Sequence, residues 1–225
     1  MKIKSSLVLL IALFTISCKK DKSNPTPPPA ATSYQNVAAG STWNYHSVDN
    51  TGSSAPSDYT ITSTSKDTSI NSKSYHVYTD SQGGNQYLNV TGNDYYQFDS
   101  LPANLGNTIE RLYLKDNAAI AANWTQNVSV NIPGSPIPLP VTITNTIAEK
   151  GISKTLGATT YTNVIHVSTT IASTLIPTAS LTTSIDTYYA PNYGMIENTS
   201  LISLNFIGIV QDLDTKTTLV SADLK

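Results

Sequence analysis

The sequence predicts an all-β domain, an antiparallel, strongly curved sheet of roughly ten to twelve strands, closed or half-closed into a barrel. Three observations predict it. Only 12% of the 225 residues are charged, while Thr, Ser, Asn and 13 Tyr are abundant, a composition that suits pleated surfaces and disfavours helix. From Tyr34 onward, large apolar and polar residues alternate with period two, the mark of strands with one buried face. Short Gly, Asn, Asp and Pro clusters punctuate these runs, and strands joined by turns that short are antiparallel neighbours. So many strands exceed what a flat open sheet carries, and curling the sheet hides its edges.

Taken in order, Thr42 to Val48 is the first strand, with Trp43 and Tyr45 on one face. Asp49 to Pro56 is a turn cluster, followed by strands at Tyr59–Thr62 and Tyr75–Tyr78. Gln82-Gly83-Gly84-Asn85 and Thr91-Gly92-Asn93-Asp94 close hairpins onto Tyr87–Val90 and Tyr95–Phe98. Asp99 to Thr108 reads as a loop, and Glu110 to Lys115 resumes strand character. Ala118 to Ala122 is the one place where a short helical turn is expected. Trp124 to Val130 is a strand, and Pro133 to Pro140 a loop or sheet edge, because proline cannot donate to a ladder.

In the second half Val141, Ile143 and Ile147 share one face, opposite Thr142, Thr144 and Thr146. Tyr161, Ile165 and Val167 share a face of the next strand, and Leu181, Thr183, Ile185, Thr187 and Tyr189 a face of the one after. Pro191-Asn192-Tyr193-Gly194 turns into Met195–Asn198. Leu201 to Val210 is apolar enough for a strand buried on both faces, and Thr217 to Ala222 forms a last strand. A weak internal repeat is also visible: Trp43 and Trp124 each open a unit, Tyr59–Thr62 matches Val141–Thr144, and Tyr95-Tyr96 matches Tyr188-Tyr189.

The N-terminus says where the domain is expected to reside. Lys2 and Lys4 precede an uncharged core from Leu7 to Phe14, shorter than the roughly 20 residues a spanning helix needs. Small residues Thr15 and Ser17 then lead to Cys18, the single cysteine. An unmodified lone thiol in an exported chain would be reactive and without an internal partner. This segment resembles the lipobox of bacterial lipoproteins, and Ser17-Cys18-Lys19-Lys20-Asp21 is similar to lipoproteins of the Bacteroidetes. It departs from the pattern at Thr15, where the family prefers Leu. The resemblance implies a signal peptide at 1–17, a lipid on Cys18 and an outer-membrane location. Asn24 to Ala31, rich in proline, reads as an extended spacer, so that 18–33 is a lipidated tether and 34–225 a single domain. Gly40 to Tyr45 and Tyr188 to Glu197 resemble uncharacterised Bacteroidetes envelope lipoproteins, which implies a lipocalin-like domain or one like the open barrels of lipoprotein carriers. Asp99-Ser100-Leu101 looks like the O-glycosylation site of exported proteins in that group.

The chain carries few groups for chemistry. Arg111 is the single arginine, and no basic cluster follows Lys22, which excludes nucleic-acid binding through phosphate neutralisation. His46, His76 and His166 lie on three strands without metal-ligand spacing, so neither a metal nor another cofactor is expected. Asp94, Asp99 and Asp186 offer carboxylates for a glycosidase pair, as any β protein would. No nucleophile elbow, zinc-protease motif or phosphate loop is present, and no catalytic residue is assigned. Trp43, Tyr45, Trp124, Tyr188 and Tyr189 are the candidate ligand-binding residues, aromatics suited to stack on a sugar or hold an acyl chain. The expectation is a non-enzymatic, lipid-anchored envelope protein binding an apolar or glycan ligand. The alternatives are an accessory subunit of a surface complex and a hydrolase whose site the sequence does not display.

Overall fold

The fold comes from a computed structural model, which describes residues 33–100, 108–130, 138–206 and 208–225. The signal peptide, Cys18, almost all of the tether, Leu101 and the side chains of Asp99 and Ser100 in the glycosylation motif, and most of the 133–140 proline stretch lie outside the described residues.

Twelve strands are formed. The first six are β1 (Thr42–Asp49), β2 (Ser57–Ile70), β3 (Lys73–Asp80), β4 (Asn85–Thr91), β5 (Asp94–Ser100) and β6 (Thr108–Lys115). The second six are β7 (Asn123–Val130), β8 (Leu139–Leu156), β9 (Thr159–Ala172), β10 (Leu181–Ala190), β11 (Gly194–Phe206) and β12 (Ile209–Asp223). They make one antiparallel sheet in the order β6-β5-β4-β3-β2-β1-β12-β11-β10-β9-β8-β7. Each half is a six-stranded meander, and the pairing of β1 with β12 joins the halves. The strands curl until β6 and β7 face each other, giving the nearly closed barrel that the alternation and turn spacing predict.

Between β6 and β7 there is no backbone ladder among the described residues; side chains bridge the gap instead. Trp124 Nε1 on β7 donates to the Leu112 carbonyl on β6 at 2.8 Å, and Asn145 Nδ2 on β8 reaches the same oxygen at 3.4 Å. Gln126 Nε2 donates to the Glu110 carbonyl. The open edge of β6 therefore gives its carbonyls to three side chains, a way of satisfying an edge without a neighbouring strand.

The barrel is filled unevenly. On the β8–β9 side, Ile147 and Ile165 are fully buried, with Val167 nearly so, and pack against Leu114 and Tyr95. Burying each such aliphatic side chain contributes about 1.5–3 kcal/mol. A second apolar cluster of Val130, Leu139, Val141, Ile143, Ile176 and Leu204 gathers strand ends at the other end of the barrel from the β10–β11 turn. A third cluster, with Trp43, Tyr45, Ile61, Tyr78 and Leu219 among its buried members, packs the side of β1–β3 and β10–β12, and a void remains beside it.

Several sequence expectations need correction. Ala118 to Ala122 forms turns and not a helix, with Ala121 at φ 67°; among the described residues the helical ones lie in a 3-10 turn at Thr178–Ser180. Leu201 to Val210 is not one strand. β11 runs through Phe206, and β12 begins at Ile209, with Gly208 at φ 76° between them. Leu201 and Val210 are exposed rather than buried. In the internal repeat, Val141–Thr144 and Tyr59–Thr62 do fall on the second strands of the two halves. Tyr95-Tyr96 lies on a fifth strand, however, and Tyr188-Tyr189 on a fourth, so that pair does not correspond.

Candidate functional site

A cavity of about 320 Å³ occupies the unfilled part of the barrel. One end is covered by the segment that enters the barrel before β1. The Tyr34 hydroxyl donates to the Asn163 carbonyl at 2.7 Å, and the Tyr34 backbone N–H donates to the Tyr95 hydroxyl at 3.1 Å. Gln35 Nε2 donates to the Tyr78 hydroxyl at 3.0 Å, and that hydroxyl donates to the Asn36 carbonyl at 2.7 Å. Tyr34, Gln35 and Asn36 thus plug the mouth and line the cavity. The approach is close: a Cβ at Gly194 would stand 3.4 Å from the Tyr34 carbonyl, and Gly194 holds φ +68°, two reasons for glycine at this turn.

The walls are aromatic. Tyr45 on β1 stacks on Tyr59 of β2 with ring centroids 5.3 Å apart and planes 24° from parallel. Tyr113 on β6 meets Tyr189 of β10 at 5.4 Å, and Trp43 meets Tyr78 edge-on at 5.9 Å. Geometry of this kind is favourable beyond the area it buries. Burial pushes the Tyr59, Tyr78 and Tyr189 hydroxyls up to about 12, and drives those of Tyr45 and Tyr113 higher than the ordinary phenol range. At Tyr189 the nearby Arg111 charge opposes this rise. The tyrosine wall is therefore uncharged at neutral pH.

Polar groups reach the same space. Gln86, Gln97 and Asn198 line it, as does Arg111, whose Nη2 donates to Gln97 Oε1 at 3.2 Å. Trp43 Nε1, on a residue 4% exposed, and Gln35 Oε1, on one 8% exposed, are buried and have no hydrogen-bond partner among the described residues. No Asp, Glu, His, Lys or Cys occurs among the described residues that line the cavity.

Of the five aromatics singled out from sequence, the structure brings Trp43, Tyr45 and Tyr189 to the cavity. Trp124 instead closes the seam between β6 and β7. Tyr188 lies on the other face of β10 from Tyr189, its ring stacked on His166 at 4.2 Å, with Lys154 Nζ 3.5 Å above the ring. The five do not form one concave patch. Tyr59, Tyr78, Tyr113 and Gln35 were not anticipated. Tyr59 had a usable signal, since it alternates with Ile61; Gln35 had none, because it precedes the first strand.

The histidines are separate. His46 bonds Asp58 at 2.7 Å, and His76 bonds Asp67 at 2.8 Å and Ser63 at 2.9 Å. His166 sits between Glu149 at 3.1 Å and Asp186 at 2.8 Å. Among the described residues no group of three or more His, Cys, Asp or Glu side chains could hold a metal ion.

No protein-family model matches the chain, and a search of curated proteins found no match. Two solved structures resemble it. One is a candidate lipoprotein from Parabacteroides distasonis, 14% identical with a TM-score of 0.50, the match covering 85% of this chain and 99% of that one. The other is a candidate exported protein with a YmcC-like fold from Bacteroides fragilis, 10% identical with a TM-score of 0.43, covering 86% and 100%. At 14% identity, what the first shares with this chain is the fold.

Proposed function

We propose that this is a non-enzymatic, lipid-anchored protein of the cell envelope whose barrel binds a small apolar or glycan ligand. The observation that carries the reading is the aromatic-walled cavity of about 320 Å³ inside a nearly closed barrel, at the small end of the roughly 300–1,000 Å³ range of ligand pockets. The described lining offers aromatic faces and amides but no carboxylate or imidazole to act as general acid or base. The lipocalin-like element of this proposal is the mode of binding and not the strand count, since twelve strands replace the eight of a lipocalin.

Purified protein incubated with envelope lipid extract and with a mixed glycan pool, then washed, denatured and extracted, tests the binding. One molecular class retained near one equivalent is expected. Nothing retained from either pool would refute it.

The envelope location rests on the lipobox at Cys18 and on the fold shared with a candidate lipoprotein. Acyl chains would supply the anchor at about 0.8 kcal/mol per buried CH₂, with the tether holding the barrel off an outer-membrane leaflet. Growth of cells making the full chain with an alkynyl fatty acid should label the protein, and Cys18→Ser should abolish the label. Label persisting on the variant would place the attachment elsewhere.

A further inference from the structure

We infer that the ligand is a compact apolar molecule bearing an oxygen acceptor, such as a ketone, ester or carboxylate, which the Tyr113 hydroxyl holds inside the cavity. This rests on reading the barrel as a binding pocket and deepens it by naming the ligand class.

Most polar groups of the lining are already answered by the protein. The hydroxyls of Tyr34, Tyr45 and Tyr78 donate to the backbone carbonyls of Asn163, Met195 and Asn36 at 2.7, 2.8 and 2.7 Å. Each phenol has one proton to give, so these three have none left for a ligand. Asn198 Nδ2 donates to Thr187 Oγ1, and its Oδ1 accepts from Ser200 Oγ, both at 2.8 Å. Gln97 Oε1 accepts from Arg111 Nη2. Beside these engaged groups the cavity offers ring faces and the side chains of Ile61, Leu88, Ile185 and Met195, surfaces that favour an apolar body.

Tyr113 differs from these phenols. Its ring meets those of Tyr95 and Tyr189, with centroids 6.2 and 5.4 Å away. Its hydroxyl makes no hydrogen bond among the described residues. Unlike Trp43 Nε1 and Gln35 Oε1, this oxygen is not sealed off, and the space its residue lines is the cavity. Burial, and after it the neighbouring phenols, drive the hydroxyl well above the ordinary range, so it keeps its proton at neutral pH. A phenol with a proton to give and no acceptor opposite is completed by an oxygen on the ligand. A pure hydrocarbon would fill the space and leave this donor unmet. A sugar would set several hydroxyls against groups mostly bonded elsewhere, which is unfavourable. A short apolar body with an oxygen acceptor matches both the wall and the open donor, and it fits a cavity of about 320 Å³.

The test uses the full mature chain with Cys18→Ser, so that no acyl chain of its own competes, and two probes of one skeleton. Propiophenone carries a carbonyl where propylbenzene carries a methylene. Binding heat should show both saturating, with propiophenone tighter by about three- to tenfold. Tyr113→Phe keeps the ring and removes the donor; it should erase that advantage without weakening propylbenzene or lowering the melting temperature. Leu88→Trp, which fills the space, should abolish binding of both. Equal affinities in the unsubstituted barrel, or an advantage that survives in folded Tyr113→Phe, would refute the role of the donor. If Tyr113→Phe does not fold, the comparison of the two probes on the unsubstituted barrel decides. Binding unchanged in folded Leu88→Trp would put the probes outside the cavity and refute the site. Neither probe bound, with a ligand still retained from the lipid or glycan pool, would overturn this inference and leave the binding reading standing. Nothing bound from any source would overturn both.

Discussion

Glu197 on β11 is a nearly buried carboxylate, 7% exposed, held by Lys154 at 2.8 Å and Lys216 at 3.1 Å. Burial alone would push its pKa up; bonds to the two lysines overcome that and hold it below the ordinary 4.5. A depressed folded value means stability that is present at neutral pH and lost as pH falls through it. Glu197→Gln should therefore cost about 1–2 kcal/mol at pH 7. The gap between wild type and variant should close below about pH 4.5 as the wild-type carboxyl takes up its proton. Urea unfolding from pH 7 to pH 3 measures this, and a gap constant across that range would refute it. The same scale shows how far site residues could be read. Period two separates Tyr188 from Tyr189, so assigning both to one pocket ignored the alternation that the strand itself displays. Whether an inward aromatic fills the core or lines a void depends on what stands opposite, which a single strand does not contain.

At the scale of elements, legibility followed local pattern. β8 was plain because Val141, Ile143 and Ile147 alternate with threonines, and the buried and less buried positions follow that alternation to Ile147. The hairpins at Gly83-Gly84 and Gly92 were plain because positive φ is needed there and glycine supplies it. The β11–β12 turn was hidden inside an apolar run, where Gly208 is the lone punctuation. Bulges were hidden too. The register slip between Tyr95 and Tyr96 against β6 lets Tyr113 face Tyr189 while its neighbour Leu114 is fully buried. A slip of one residue reverses every face beyond it, and nothing in the composition of β5 or β6 announces one. The seam was beyond sequence altogether. Trp124 looks like any inward aromatic of a strand, yet its indole N–H does the work of a ladder bond to Leu112 across a gap between strands that do not pair.

For the whole molecule, one strand decides whether there is a barrel. β12 pairs with β11 along Glu197–Phe206 and with β1 along Thr42–Asp49, and this β1–β12 pairing is the one ladder between the halves among the described residues. The segment after it is clasped as well, the Lys225 backbone N–H donating to Ser41 Oγ at 3.0 Å. Without β12, β1–β6 and β7–β11 would be two open meanders with no strand ladder between them, joined by contacts such as the β6–β7 seam and the packing of Tyr95 and Leu114 on Ile147 and Ile165. The face of Trp43 and Tyr45 would lose Leu219, which is 2% exposed in their cluster. Contacts between the first and last strands are the most distant in sequence, so the chain bears their loop-closure entropy before they stabilise anything. Truncation after Gly208 should therefore abolish the cooperative thermal transition and near-ultraviolet signal of the tyrosine wall, while the far-ultraviolet spectrum keeps strand character. A truncated chain that melts cooperatively within a few degrees of the full one would show that the two meanders are independent units, and that the cavity between them does not need the closure described above.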